Sequence, residues 1–137
     1  MAEYLGLEGI DLFSAGTEVT AFNPRAVAVI ERAGFQVVNP GGTNPHYKVF
    51  VGKGTKALIC FSKTIEAASN PRENFAAIMT CSEADYNCPF VPGALERFSV
   101  PYTDPKESDG TDQEAQTYDR RCEQIATEMY YLISQVH

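Results

Sequence analysis

The most regular signal in the chain lies near its C-terminal end. From Ala115 onward, apolar residues recur as Tyr118, Cys122, Ile125, Met129, Leu132 and Val136, at alternating spacings of three and four. That period keeps one face of an α-helix apolar for about six turns. Just ahead of it, Thr111-x-x-Glu114 has the form of a capping box, in which two side chains satisfy orphan backbone N–H groups. A shorter helix is bounded at both ends. Asn23 is a good N-cap, Pro24 suits the first helical position and Gly34 supplies a stop. Between them Ala26, Val27, Ile30 and Ala33 form one apolar face.

Shorter patterns predict strands. Ile10–Ala15 alternates and ends at Gly16, and Phe35–Val38 emerges from the first helix. Tyr47–Val51 and Ala57–Phe61 flank Gly52-Lys53-Gly54-Thr55, which predicts a β-hairpin. Ala76–Cys81 reads as a strand covered on both faces, and Arg97–Tyr102 as a strand that ends near Pro101. Residues 1–9, with Gly6 and Gly9, read as the last turns of a helix. Asn39–Pro45, Lys63–Asn74 and Asp104–Gly110 read as loops. No repeat and no second domain is visible. Strands alternating with helices indicate an α/β domain, 1–137, with a mainly parallel sheet flanked by helices.

Composition narrows the function. A chain of 137 residues suits one domain with a real core. Eleven Lys and Arg against eighteen Asp and Glu leave a charge of -7 with no basic block, which argues against nucleic acid and anionic membranes as partners. The longest apolar runs are about five residues, far short of the ~20 of a membrane helix. The acidic start fits no targeting segment, so a cytoplasmic protein is expected. Cys60, Cys81, Cys88 and Cys122 show no C-x-x-C spacing, and His46 and His137 stand alone; no metal site is expected.

Two stretches could carry chemistry. Cys81 ends a strand and Cys88 follows seven residues later. On a continuous helix their Cα atoms would stand about 10 Å apart, beyond the ~7 Å that a disulfide tolerates. The pair is therefore either a redox switch on a loop that can rearrange, or two thiols acting as small hydrophobes. Asp104-Pro105 is either a turn dipeptide or an acid overhanging the carboxyl edge of a parallel sheet. At that edge it could protonate a leaving group.

Ser14-Ala15-Gly16-Thr17 followed by Asn23-Pro24-x-Ala26-Val27 resembles the second strand and helix of the low-molecular-weight protein tyrosine phosphatases. The stretch from Cys81 to Pro89 is similar to the redox segment of the thioredoxin-coupled arsenate reductases built on that fold. The resemblance spans the chain except 39–75, which reads as an insertion. It implies a phosphotyrosine phosphatase I-like domain, acting as hydrolase or oxidoreductase on an oxyanion (arsenate or a phosphate ester), without a cofactor. Asp104 would be the general acid and Ser14 would support the phosphate loop. Cys81 and Cys88 would relay oxidising equivalents to thioredoxin.

The family's nucleophile sits in a C-x5-R loop, and no such motif occurs here. Six residues after the four cysteines stand Glu66, Asn87, Ala94 and Glu128. Residues 1–9 align with the end of the helix that follows that loop, so Met1 is expected to be internal to a longer chain. Cys81 is a poor substitute nucleophile, because Glu83 and Asp85 would repel an oxyanion. The expectation is an inactive phosphatase-like domain; the alternative is a non-catalytic redox or regulatory module using Cys81 and Cys88. The family's first strand is central in its sheet. Its absence predicts closure by direct strand pairing, by the 47–61 hairpin, or by strand exchange in a homo-oligomer.

Overall fold

In the computed structural model, which describes residues 5–52, 54–80 and 90–135, the chain forms two units. The first comprises Met1–Phe13, Ala21–Phe61 and Ser108–His137; the second comprises Ser14–Thr20 and Ser62–Glu107.

The first unit begins its regular structure with helix α1, Pro24–Arg32. As the cap residues predict, Asn23 Oδ1 accepts the Arg25 N–H at 2.9 Å. At the other end the Gly34 N–H donates to Glu31 O and the Phe35 N–H to Ile30 O, with Gly34 at φ 96°. This is the Schellman arrangement, whose left-handed residue favours glycine. It turns the chain directly into strand β1, Gln36–Val38. Strands β2, Tyr47–Phe50, and β3, Leu58–Cys60, complete an antiparallel sheet in the order β1-β2-β3. The predicted hairpin is present. Its turn is tied by Thr55, whose Oγ1 donates to Gly52 O and whose N–H reaches the same carbonyl.

The long C-terminal helix, α2, spans Glu114–Ser134 and packs on α1. Its start differs from a capping box. Thr111 Oγ1 donates to Ser108 O and accepts from the Gln113 N–H, while Glu114 Oε2 takes the Gly110 N–H at 2.6 Å. The reciprocal pair of a capping box is absent, because Thr111 takes the Gln113 N–H and Glu114 the Gly110 N–H. Val29, Tyr47, Val49, Tyr118 and Ile133 form the core of this unit. Phe22 meets Tyr47 edge-on, with ring centroids 5.7 Å apart.

In the second unit β4, Phe75–Met79, pairs in parallel with β5, Ala94–Ser99. Leu95 is the extra residue of a bulge, since Ala94 faces Phe75 and Glu96 faces Ala76. Pairing continues past both strands, with the Val100 N–H on Met79 O and the Tyr102 N–H on Thr80 O, each 2.9 Å. Gly93, at φ 83°, crosses so close to the Arg72 carbonyl that a Cβ there would collide with it.

Five expectations need correction. Residues 5–9 form a turn and a bend rather than helix. Ile10–Ala15 is no strand: residues 11–15 are all exposed, and only Gly16 pairs, through an isolated parallel bridge to Thr64. The strand predicted at 97–102 starts three residues earlier, and the 104–110 loop contains a 3-10 helix, Pro105–Ser108. Finally, among the described residues this α/β chain has two small sheets, and three of the five strands are antiparallel, so a mainly parallel sheet is not what forms. The connections 39–46 and 51–57 are too short for a parallel crossover, which makes both pairings antiparallel. The 39–75 stretch supplies β2 and β3.

Candidate functional site

Of the residues singled out from sequence, Asp104 is the best defined. It lies two residues past Tyr102, where the extended β5 pairing ends, and thus at the carboxyl end of the parallel pair. Its side chain is exposed, and Oδ1 accepts the Lys106 N–H at 3.0 Å. That contact is an Asx turn starting the 3-10 helix, as the dipeptide reading predicts. It occupies one carboxylate oxygen and leaves the other open to solvent.

The chain leaves β4 through Thr80, whose carbonyl holds the Tyr102 N–H. Cys81 and Cys88 follow but lie outside the described residues. Ser14 is exposed, two residues before Gly16, whose N–H donates to Lys63 O at 2.8 Å. No hydrogen bond joins Ser14 to Asp104 among the described residues. From Thr64, the bridge partner of Gly16, the turn 64–70 is closed by Asn70, which is only 7% exposed and donates from Nδ2 to Thr64 O.

Cys60 and Cys122, both of the first unit, are half-buried. Burial, with Asp119 nearby, pushes the Cys122 thiol up, which makes it a poor nucleophile at neutral pH. Among the described residues no group of three His, Cys, Asp or Glu could hold a metal, and no helix is long and apolar enough to cross a membrane.

Sequence reading missed a charged cluster in the first unit. Arg25 Nε lies 2.9 Å from Glu114 Oε2 and 3.3 Å from Asp109 Oδ1. Tyr118 Oη donates to Asp109 Oδ1 at 2.8 Å. Two turns along α1, Arg32 grips Asp119 through Nε and Nη2. The Glu114 carboxyl is held below its usual range, first by the Gly110 N–H and then by Arg25. Burial raises the Tyr118 phenol, with Asp109 adding to it. A shallow groove of about 290 Å³ runs between the helices, with Ala28 and Ala115 beside the two arginines. Two guanidinium groups face three carboxylates, so the groove has no positive excess to hold an anion. The cluster clips α2 to α1. The seven-residue spacing of Arg25 and Arg32 was its one sequence signal.

No protein-family model matches the chain, and no curated protein matches it.

Proposed function

We propose that this chain is a phosphatase-like domain of the low-molecular-weight protein tyrosine phosphatase and arsenate reductase type, inactive alone because it has no C-x5-R loop. The observation that carries this reading is the parallel pairing of β4 with β5, extended by the Tyr102 N–H on Thr80 O. The chain enters Cys81 from one strand end and reaches Asp104 from the other, at the edge where open α/β sheets bind ligands. In this reading β4 and β5 belong to a larger parallel sheet, completed in a homo-oligomer by a strand from a second copy.

The parent chemistry needs a thiolate to attack phosphorus or arsenic and an acid to protonate the departing oxygen. Asp104 is the proton donor, using the carboxylate oxygen that Lys106 leaves open. Ser14 is the residue that would support the phosphate loop. Cys81 and Cys88 supply the thiols that thioredoxin would reduce. The nucleophile is the missing part, and its loss removes most of the rate enhancement. Purified chain should therefore neither hydrolyse p-nitrophenyl phosphate nor reduce arsenate with thioredoxin. Turnover that survives repurification and disappears in Cys81→Ser would overturn this.

The second reading, a redox or regulatory module, is favoured by the Asp104 side chain acting as the cap of its own turn. Thiol titration before and after thioredoxin tests it. One oxidisable pair mapped to Cys81 and Cys88 supports the module, and four unchanging thiols would exclude it.

A further inference from the structure

The side chain of an Asp or Asn can condense with the backbone nitrogen of the next residue, closing a five-membered imide. The chain has six Asp and six Asn. Five of the twelve, Asn23, Asn39, Asn44, Asn70 and Asp104, precede proline, whose nitrogen has no proton to lose. Six precede residues whose side chains crowd the attacking nitrogen. Asp109 alone precedes glycine, which has no Cβ and the freest backbone.

The structure places both reacting groups of that pair in the cluster that joins α2 to α1. Asp109 Oδ1 accepts the Tyr118 hydroxyl at 2.8 Å and lies 3.3 Å from Arg25 Nε. These contacts aim the carboxyl toward α2 and hold it from swinging back over its own backbone. The Gly110 N–H donates to Glu114 Oε2 at 2.6 Å, so the nitrogen is turned toward the helix and its proton is engaged. Gly110 sits at φ 75° with open space around it, and both residues are exposed, so water reaches the bond. Nucleophile and electrophile are adjacent, each tied to a different partner.

We propose that Asp109-Gly110 is a latent modification site, converted to isoaspartate by water alone once its contacts with Tyr118, Arg25 and Glu114 open. The Gly110 nitrogen attacks Cγ of the protonated Asp109 carboxyl. The N–Cγ bond forms, the Cγ–OH bond breaks, and the hydroxyl leaves as water with the amide proton. Water then adds to one imide carbonyl, and the C–N bond there breaks. Opening at Cγ restores Asp109; opening at the α-carbonyl leaves the backbone running through Cβ and Cγ. One water is released and one consumed, with no change of oxidation state. The product lengthens the chain ahead of α2 by one carbon and draws the free carboxylate toward the main chain, away from Tyr118. Conversion therefore releases the start of α2 from α1. This inference stands independently of the phosphatase reading.

The test is to age the full chain at neutral pH in water enriched in heavy oxygen. Tryptic digestion in ordinary water and electron-transfer fragmentation of the peptide 107–120 then locate the isoaspartate. It should form at position 109, about tenfold or more slowly in the native chain than in a synthetic peptide of residues 104–116, because cyclisation waits on local opening. Tyr118→Phe, which keeps the buried ring, should speed it about fivefold and Glu114→Ala about tenfold, each by removing part of the restraint. Ile133→Ala weakens the core without touching the cluster and should leave the rate unchanged. The proposal fails if neither Tyr118→Phe nor Glu114→Ala forms isoaspartate at position 109 faster than the native chain, or if the native chain converts as fast as the peptide. It also fails if Ile133→Ala speeds conversion as much as Tyr118→Phe, or if the separated product exchanges the amides of 111–118 no faster than its parent.

Discussion

The two units of this chain hold themselves together differently. In the first, five apolar side chains contributed by α1, β2 and α2 are each no more than 8% exposed. In the second, the buried side chains among the described residues are polar, Lys63 and Asn70, while Leu95 and Phe98 of β5 stand 71% and 49% exposed. The contrast follows from strand direction. An antiparallel hairpin finds its partners within a few residues and needs only one face covered. A parallel pair needs a long connection and covering layers on both faces. The first unit thus depends on packing, and the second more on backbone hydrogen bonds and turn geometry.

The sharpest test of this contrast is a matched pair of truncations. Ile133→Ala in the first unit should cost about 3 kcal/mol, whereas Ile78→Ala on half-buried β4 should cost about 1 kcal/mol. Urea denaturation measures both, and equal losses would break the distinction. Backbone geometry should matter more in the second unit. Gly93→Ala combines a left-handed φ with a collision against the Arg72 carbonyl and should cost about 2–3 kcal/mol. Gly34→Ala has open space, meets only the φ penalty and should cost about 1 kcal/mol.

Local opening sharpens the comparison further. Native-state hydrogen exchange should find the amides of the β2 core more protected than those of β4, because the inner face of β2 is buried. The smallest expected effect is electrostatic. The Glu114 carboxyl titrates below its unfolded value, so its contribution is present above the ordinary glutamate pKa, about 4.3, and is lost as pH falls through the lower folded value. The melting temperature of the native chain should therefore fall more steeply from pH 6 toward pH 3 than that of Glu114→Gln.

Part of the candidate site was legible in sequence. Asp104-Pro105 announced its own turn, and the loop predicted over Lys63–Asn74 contains the turn that Asn70 closes. The Arg25–Glu114–Asp109–Tyr118 cluster was not legible, since its members come from segments more than eighty residues apart and meet only when α2 docks on α1. The unpaired state of Ile10–Ala15 was equally hidden. Alternation reports which side chains would share a face, and says nothing of whether a neighbouring strand is there to bond it.

Local chemistry was written in the sequence itself. Asn23-Pro24 and Gly34 bounded α1, the three-and-four spacing predicted α2, and Gly52-x-Gly54 predicted the hairpin, because caps, periodicity and turn residues act within a few positions. The parallel pairing of β4 with β5 and the division into two units were decided by tertiary structure. Each depends on which distant backbone supplies the partner for a strand, and that choice is made by packing.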